Sequence, residues 1–270
     1  NDTGTGKPNG SELRAAEQSY GSAMDSSKLA DELASLLDTP GGSGMQPSTQ
    51  AGQALITRIG NQSNLILDPD LDSYYTMSLV VLRLPELFEL IDLTRTKSKE
   101  QLKVSPKDRS RTQNEYLILE GQLDAIARNI DSDFAEAIAA AKPNSKSEMA
   151  AARDNLRTAI NEYRNSVHQI VINNARGSKS ADIDAAAGVL LAQLKETWTT
   201  AEHTLHRLLN ARLDDLFQRM YLHLGTAAAL LLLILGMVYF VARQIVLPVS
   251  RLAGVADQVR ATGNYLLRAK

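Results

Sequence analysis

The chain has 270 residues and a formal net charge of −2, from 29 Lys plus Arg against 31 Asp plus Glu. It therefore lacks the basic surplus that a nucleic-acid binder usually carries. Cysteine is absent, which excludes disulfides, a cysteine nucleophile and a cysteine zinc site, and a count of 4 His argues against a His-rich metal site. Gly 16 and Pro 8 are gathered at a few places, whereas a β-sandwich needs turn residues about every 8–12 positions. The composition predicts long helices.

In chain order, residues 1–10 (NDTGTGKPNG) have no apolar side chain and read as a disordered N-terminal edge. Residues 11–37 are helix-permissive, with Leu13, Ala16, Leu29, Leu33, Leu36 and Leu37 in a weak stripe. Thr39–Ser48 (TPGGSGMQPS) is a loop, and a further helix is expected from about Thr49 to Leu65. Asn61–Tyr75 reads as a junction. Asp68 before Pro69 sets an N-cap ahead of a first-turn proline, and Asp70 and Asp72 favour the start of a helix. That helix should reach Arg95, kinked or restarted at Pro85, with Thr94–Arg111 as a charged connector.

Tyr116, Leu119, Leu123, Ile126, Ile130, Phe134, Ala137 and Ala141 recur every three or four residues, the helical period. Lys142–Ser147 stops that helix at a proline. Met149, Ala152, Leu156, Ile160, Tyr163, Val167 and Ile170 repeat the stripe up to a turn at Arg176–Ser180. A third stripe runs from Ile183 through Leu190, Trp198, Leu205, Leu209, Leu213 and Leu216 to Met220, with no Pro or Gly between Val189 and His223. Long helices on short loops predict an elongated up-and-down bundle. The same stripe is also suited to pairing with a second copy of itself, as in a homodimer.

Met220–Ala242 (MYLHLGTAAALLLLILGMVYFVA) contains no Asp, Glu, Lys or Arg. At about 1.5 Å per residue it matches the roughly 30 Å hydrocarbon core of a bilayer. Tyr221, Tyr239 and Phe240 sit at its ends and Arg219 and Arg243 bracket it, so 220–242 is expected to be a transmembrane helix. Arg243, Arg251, Arg260, Arg268 and Lys270 follow it, which leans the C-terminal side toward the cytoplasm. The chain begins at Asn1, not Met, which reads as a processed or truncated N-terminus and leaves open whether a first span precedes it.

In Arg243–Lys270 (RQIVLPVSRLAGVADQVRATGNYLLRAK), Pro248, Leu252, Val255, Ala256 and Val259 form an amphipathic stripe that opens on proline and stops at Thr262–Gly263. This segment resembles the first helix of a HAMP linker, the parallel four-helix dimer module just inside the membrane in bacterial receptors. The closing TGNYLLRA is similar to that module's exit from helix one. Asn61–Ile91 (NQSNLILDPDLDSYYTMSLVVLRLPELFELI) is similar to the helical extracytoplasmic sensor regions of bacterial histidine kinases and methyl-accepting chemoreceptors.

The resemblance implies a receptor input in the bacterial inner membrane. Residues 11–219 would be a periplasmic or extracellular sensor bundle, 220–242 the span, and 243–270 an incomplete HAMP helix with a cytoplasmic end. It implies signal coupling through Pro248, Leu252, Val255 and Val259. The output would be a sensor histidine kinase acting on a response regulator, with a chemotaxis receptor and its partner proteins as the alternative. A membrane-anchored helical protein without a signalling role is the rival of another class.

For the signal itself, Tyr74, Tyr75 and Arg83 lie on or near one helix and Arg153, Arg157 and Arg164 along another. Bundle sensors place a cationic side chain against an acidic ligand and orient it with Tyr or Asn, so Tyr74, Tyr75 and Arg83 are the expected ligand-binding residues. Asp68, Asp70 and Asp72 open like a calcium loop, but Ser73 stands where Gly is needed and Leu79 where Glu is needed. His203 and His206 are one turn apart with no third ligand nearby in sequence. No catalytic motif, metal site or cofactor is expected.

Overall fold

The structure, a computed structural model, describes residues 10–39, 45–67, 69–105, 107–141, 143–173 and 179–263. Its elements are all helical, with no strand among the described residues, so the protein is an all-α helical bundle with one long apolar helix. Two compact units divide it, Asn1–Leu209 and Asn210–Lys270.

The first unit opens with α1 (Gly10–Met24), α2 (Ser27–Asp38) and α3 (Met45–Gln62). The single helix expected over 11–37 is in fact a pair. Asp25 adopts φ 48°, a left-handed conformation that Asp tolerates better than most residues. Arg58 of α3 engages Asp25 twice, Nη2 to Oδ2 at 2.5 Å and Nε donating to the backbone O at 3.1 Å. Asn64, at φ 56°, ends the next helical run in the same way. Helix α3 begins at Met45, inside the stretch expected to be loop, and residues 40–44 lie outside the described residues.

A 3-10 turn at Leu65–Leu67 leads to α4 (Leu71–Met77), a π-helical segment Ser78–Arg83, and α5 (Leu84–Gln101). Asp68 lies outside the described residues. Asp70 occupies the N-cap, in extended backbone, and Asp72 takes the first turn. The α-helix restarts at Leu84 with Pro85 in its first turn, as expected, and the π-helical segment carries the chain up to it. A proline has no N–H, and its ring collides with the carbonyl four residues back. Leu84 N–H bonds instead to Leu79 O, five residues back, and that wider turn accommodates the ring. Helix α5 continues to Gln101, through residues expected to form a connector, because Thr94 and Ser98 are buried on its inner face.

Helices α6 (Arg109–Ala140), α7 (Pro143–Val171) and α8 (Ser180–Val241) follow the three apolar stripes. One core joins α5 through α8, with Leu87, Ile91, Tyr116, Phe134, Leu156, Tyr163 and Leu190 all nearly inaccessible. Each such side chain contributes roughly 1.5–3 kcal/mol by leaving water. Burial pushes the Tyr116 and Tyr163 phenols up, and Tyr163 donates from its hydroxyl to Ile91 O at 3.4 Å. A smaller cluster of Met77, Val81 and Leu205 packs with Ile56 of α3.

The second unit contains the rest of α8, a π-helical segment Ala242–Val246, and α9 (Leu247–Thr262). The wide turn again precedes a proline, since Leu247 N–H bonds to Ala242 O just before Pro248. Gly263, at φ 67°, caps α9 with its N–H on Val259 O at 2.9 Å, the left-handed helix stop that glycine adopts without strain. The expected Thr262–Gly263 limit matches that cap. The TGNYLLRA tail beyond Gly263 and most of the Arg176–Ser180 turn lie outside the described residues.

Candidate functional site

The three residues expected to bind a ligand differ in exposure and in what holds them. Tyr74 is exposed and meets Tyr75 edge to face at 5.2 Å between ring centres. Tyr75 is half-buried and packs against the main core. Arg83, at the end of the π-helical segment, donates from Nε to Asp133 Oδ2 at 3.1 Å. Its Nη1 lies 3.9 Å from Glu86. Asp133 is a buried carboxylate, and Ser78 donates to the same oxygen at 2.7 Å. Arg83 and Ser78 therefore neutralise and solvate a buried acid, as such a group requires.

The seam between α6 and α7 concentrates charge. Acids on α6 face bases on α7, and the pairs step along the helices in opposite directions. His168 Nδ1 lies 3.0 Å from Glu120 Oε1. Arg164 pairs closely with Asp124. Farther along, Arg157 Nη1 is 3.8 Å and Arg153 Nε 3.7 Å from Asp131 Oδ1. Residues spaced three or four apart share one helix face, so this ladder follows from sequence spacing plus antiparallel packing. A cleft of about 370 Å³ opens on it, lined by Arg128, Ser132 and Asp131 of α6 and Arg157, Asn161 and Arg164 of α7. Two of the α7 arginines were visible as candidates in the sequence. Arg128 and Asn161 were not, because neither has a motif and only the helix pairing brings them to one cleft.

In the second unit the apolar part of α8 is uncovered. The described helix carries a window of mean hydropathy 2.4, none of it buried, and is long and apolar enough to cross a membrane. At its ends Arg219 pairs with Asp215 at 2.8 Å, and Arg243 donates to Tyr239 Oη at 3.3 Å. Pro248 and Leu252 of α9 are exposed, and Val255 and Val259 are half-buried. Compared with protein-family models, with curated proteins and with solved structures, the chain matches none. Fold and site define an all-helical protein with one membrane-length apolar helix.

Proposed function

We propose that the chain is the input part of a transmembrane signalling receptor of a bacterial cell membrane. The helical bundle senses a signal outside, and α9 passes it on as the first helix of a HAMP linker. The output is a histidine kinase of a two-component system, and the working unit is a homodimer. One observation carries the reading. Helix α8 supplies Ile183, Leu190, Leu194 and Leu205 to the bundle core and, farther along, the charge-free stretch Met220–Ala242. A sensing bundle coupled to a membrane helix needs such an element, because a displacement of one rigid helix is transmitted along it. The proline at the start of α9, its stripe of Leu252, Val255 and Val259, and its glycine stop at Gly263 add support.

The test is a chimera joined at Lys270 to the remainder of a HAMP linker and an autophosphorylating kinase core. Removing residues 10–209 should change basal phosphorylation by several-fold at equal membrane level. Identical output with and without the bundle would contradict the receptor reading and favour a simple anchor.

A further inference from the structure

The acid–base ladder between α6 and α7 has one rung that does not match. On the rungs that pair, α6 contributes Glu120, Asp124 or Asp131 and α7 contributes His168, Arg164 or Arg157. Between Asp124 and Asp131 the same face of α6 carries Arg128, and between Arg157 and Arg164 the same face of α7 carries Asn161. No acid occupies this step on either helix. The cleft of about 370 Å³ opens there.

Donors outnumber acceptors around this rung. Among the described residues Arg128 has no ion pair or hydrogen bond, and Ser132 and Asn161 side chains have no hydrogen bond. Arg157 is held only loosely, 3.3 Å from Asp154 and 3.8 Å from Asp131, with no hydrogen bond at either distance. Asp131 Oδ1 is correspondingly a shielded oxygen without a hydrogen-bond partner. Arg164 already faces Asp124, and its guanidinium still has donors to spare.

We propose that this rung is a binding site for a small organic carboxylate, held between Arg128 and Arg157 and oriented by Asn161. A guanidinium fork matches a planar carboxylate in two parallel hydrogen bonds. Among the described residues that line this rung Arg128 is the unmatched cation, and the flanking Asp124 and Asp131 repel extra negative charge, so a carboxylate group fits better than a phosphate dianion. The cleft lies within the usual size range of small-molecule sites, at roughly 300–1,000 Å³. The assignment deepens the receptor reading by naming the chemistry of its input. Binding is measured without any output domain, so a chain that binds but does not signal would count against that reading and leave this site standing.

The experiment is calorimetric titration of the full chain in detergent micelles with acetate, succinate and inorganic phosphate, at constant ionic strength made up with chloride. At least one carboxylate should bind saturably and more tightly than phosphate. Arg128→Gln should weaken it by about tenfold or more, since it removes charged hydrogen bonds. Asn161→Asp puts the missing acid on the rung. It should raise the unfolding midpoint without ligand and abolish carboxylate binding. The proposal is overturned by any of three results in protein with native far-ultraviolet dichroism. These are no saturable carboxylate binding, tighter binding of phosphate than of either carboxylate, and binding undiminished in both variants.

Discussion

Arg83 and Asp133, fifty residues apart in sequence, meet at 3.1 Å from Nε to Oδ2. The pair ties the π-helical segment before α5 to the middle of α6, and Ser78 completes it at 2.7 Å. Asp133→Ala should destabilise the bundle by about 1–3 kcal/mol, because it leaves a largely shielded guanidinium and a buried hydroxyl without their acceptor. Arg83→Ala strands a buried carboxylate with only Ser78 to solvate it. A double-mutant cycle read by thermal unfolding should give less than additive losses. Additive losses would mean that the two side chains do not interact in solution.

Asp184 should contribute to acid sensitivity. Hydrogen bonds from Lys99, at 2.8 Å, and Arg95, at 2.5 Å, hold its carboxyl below the ordinary carboxylate range. A group lowered in the folded state contributes stability above its unfolded value and loses that contribution as pH falls through its folded value. Burial raises Asp92, so its ionisation costs stability as pH rises through the window between its unfolded and folded values. In unfolding midpoints measured against pH, Asp184→Asn should be less stable than the parent at neutral pH and converge with it in strong acid. Asp92→Asn should show the opposite sign, with its advantage appearing only above the ordinary carboxylate range.

The long helices were legible in the sequence because their stripes are regular. Tyr116, Leu123, Ile126, Ile130 and Phe134 are all buried on α6, as the helical period requires. Local backbone events were less legible. The break at Asp25 depends on a left-handed residue gripped by Arg58 from another helix, and nothing within residues 20–30 announces that grip. Pro85 marked a kink or restart, and the α-helix does restart at Leu84, but nothing in the sequence announced the π-helical turn that precedes it. The surroundings of the candidate site residues were the least legible. Tyr74, Tyr75 and Arg83 are close in sequence, yet Tyr74 is exposed, Tyr75 packs against the core and Arg83 is held by Asp133 of α6. The Arg128 rung emerges only from the register of two packed helices.

Subunit pairing along α8 should begin beyond the bundle. Leu205 is buried within its own chain, whereas Leu213 and Leu216 are 51% and 56% exposed. In this cysteine-free chain, single cysteines at 213 and 216 should crosslink in membranes, and one at 205 should not. Crosslinking at 205 equal to that at 213 would contradict the packing of Leu205 with Met77 and Val81.

The proposed membrane span within α8 makes a separate prediction. Leu232→Arg places a charge in the middle of Met220–Ala242 and should cost about 2.5–3.5 kcal/mol on insertion. Val189 and Arg260 are exposed on either side of that stretch. Cysteines in their place should react differently with an impermeant maleimide on intact cells, 189 labelled and 260 protected. Reversed labelling would invert the orientation, and equal labelling would mean that the helix does not cross.

The most direct test of the central claim, that a signal passes along a helix of fixed phase into α9, is a pair of insertions between Ser250 and Arg251 in the kinase chimera. One inserted alanine rotates Leu252, Val255 and Val259 by about 100° relative to the apolar stretch, given 3.6 residues per turn. Seven inserted residues nearly restore the phase, leaving a drift of about 20°. Phosphorylation, normalised to membrane level, should change strongly with one residue and largely recover with seven. If both insertions leave output equal to the parent, phase does not matter, and the helix that links bundle to α9 serves only to hold the chain in place.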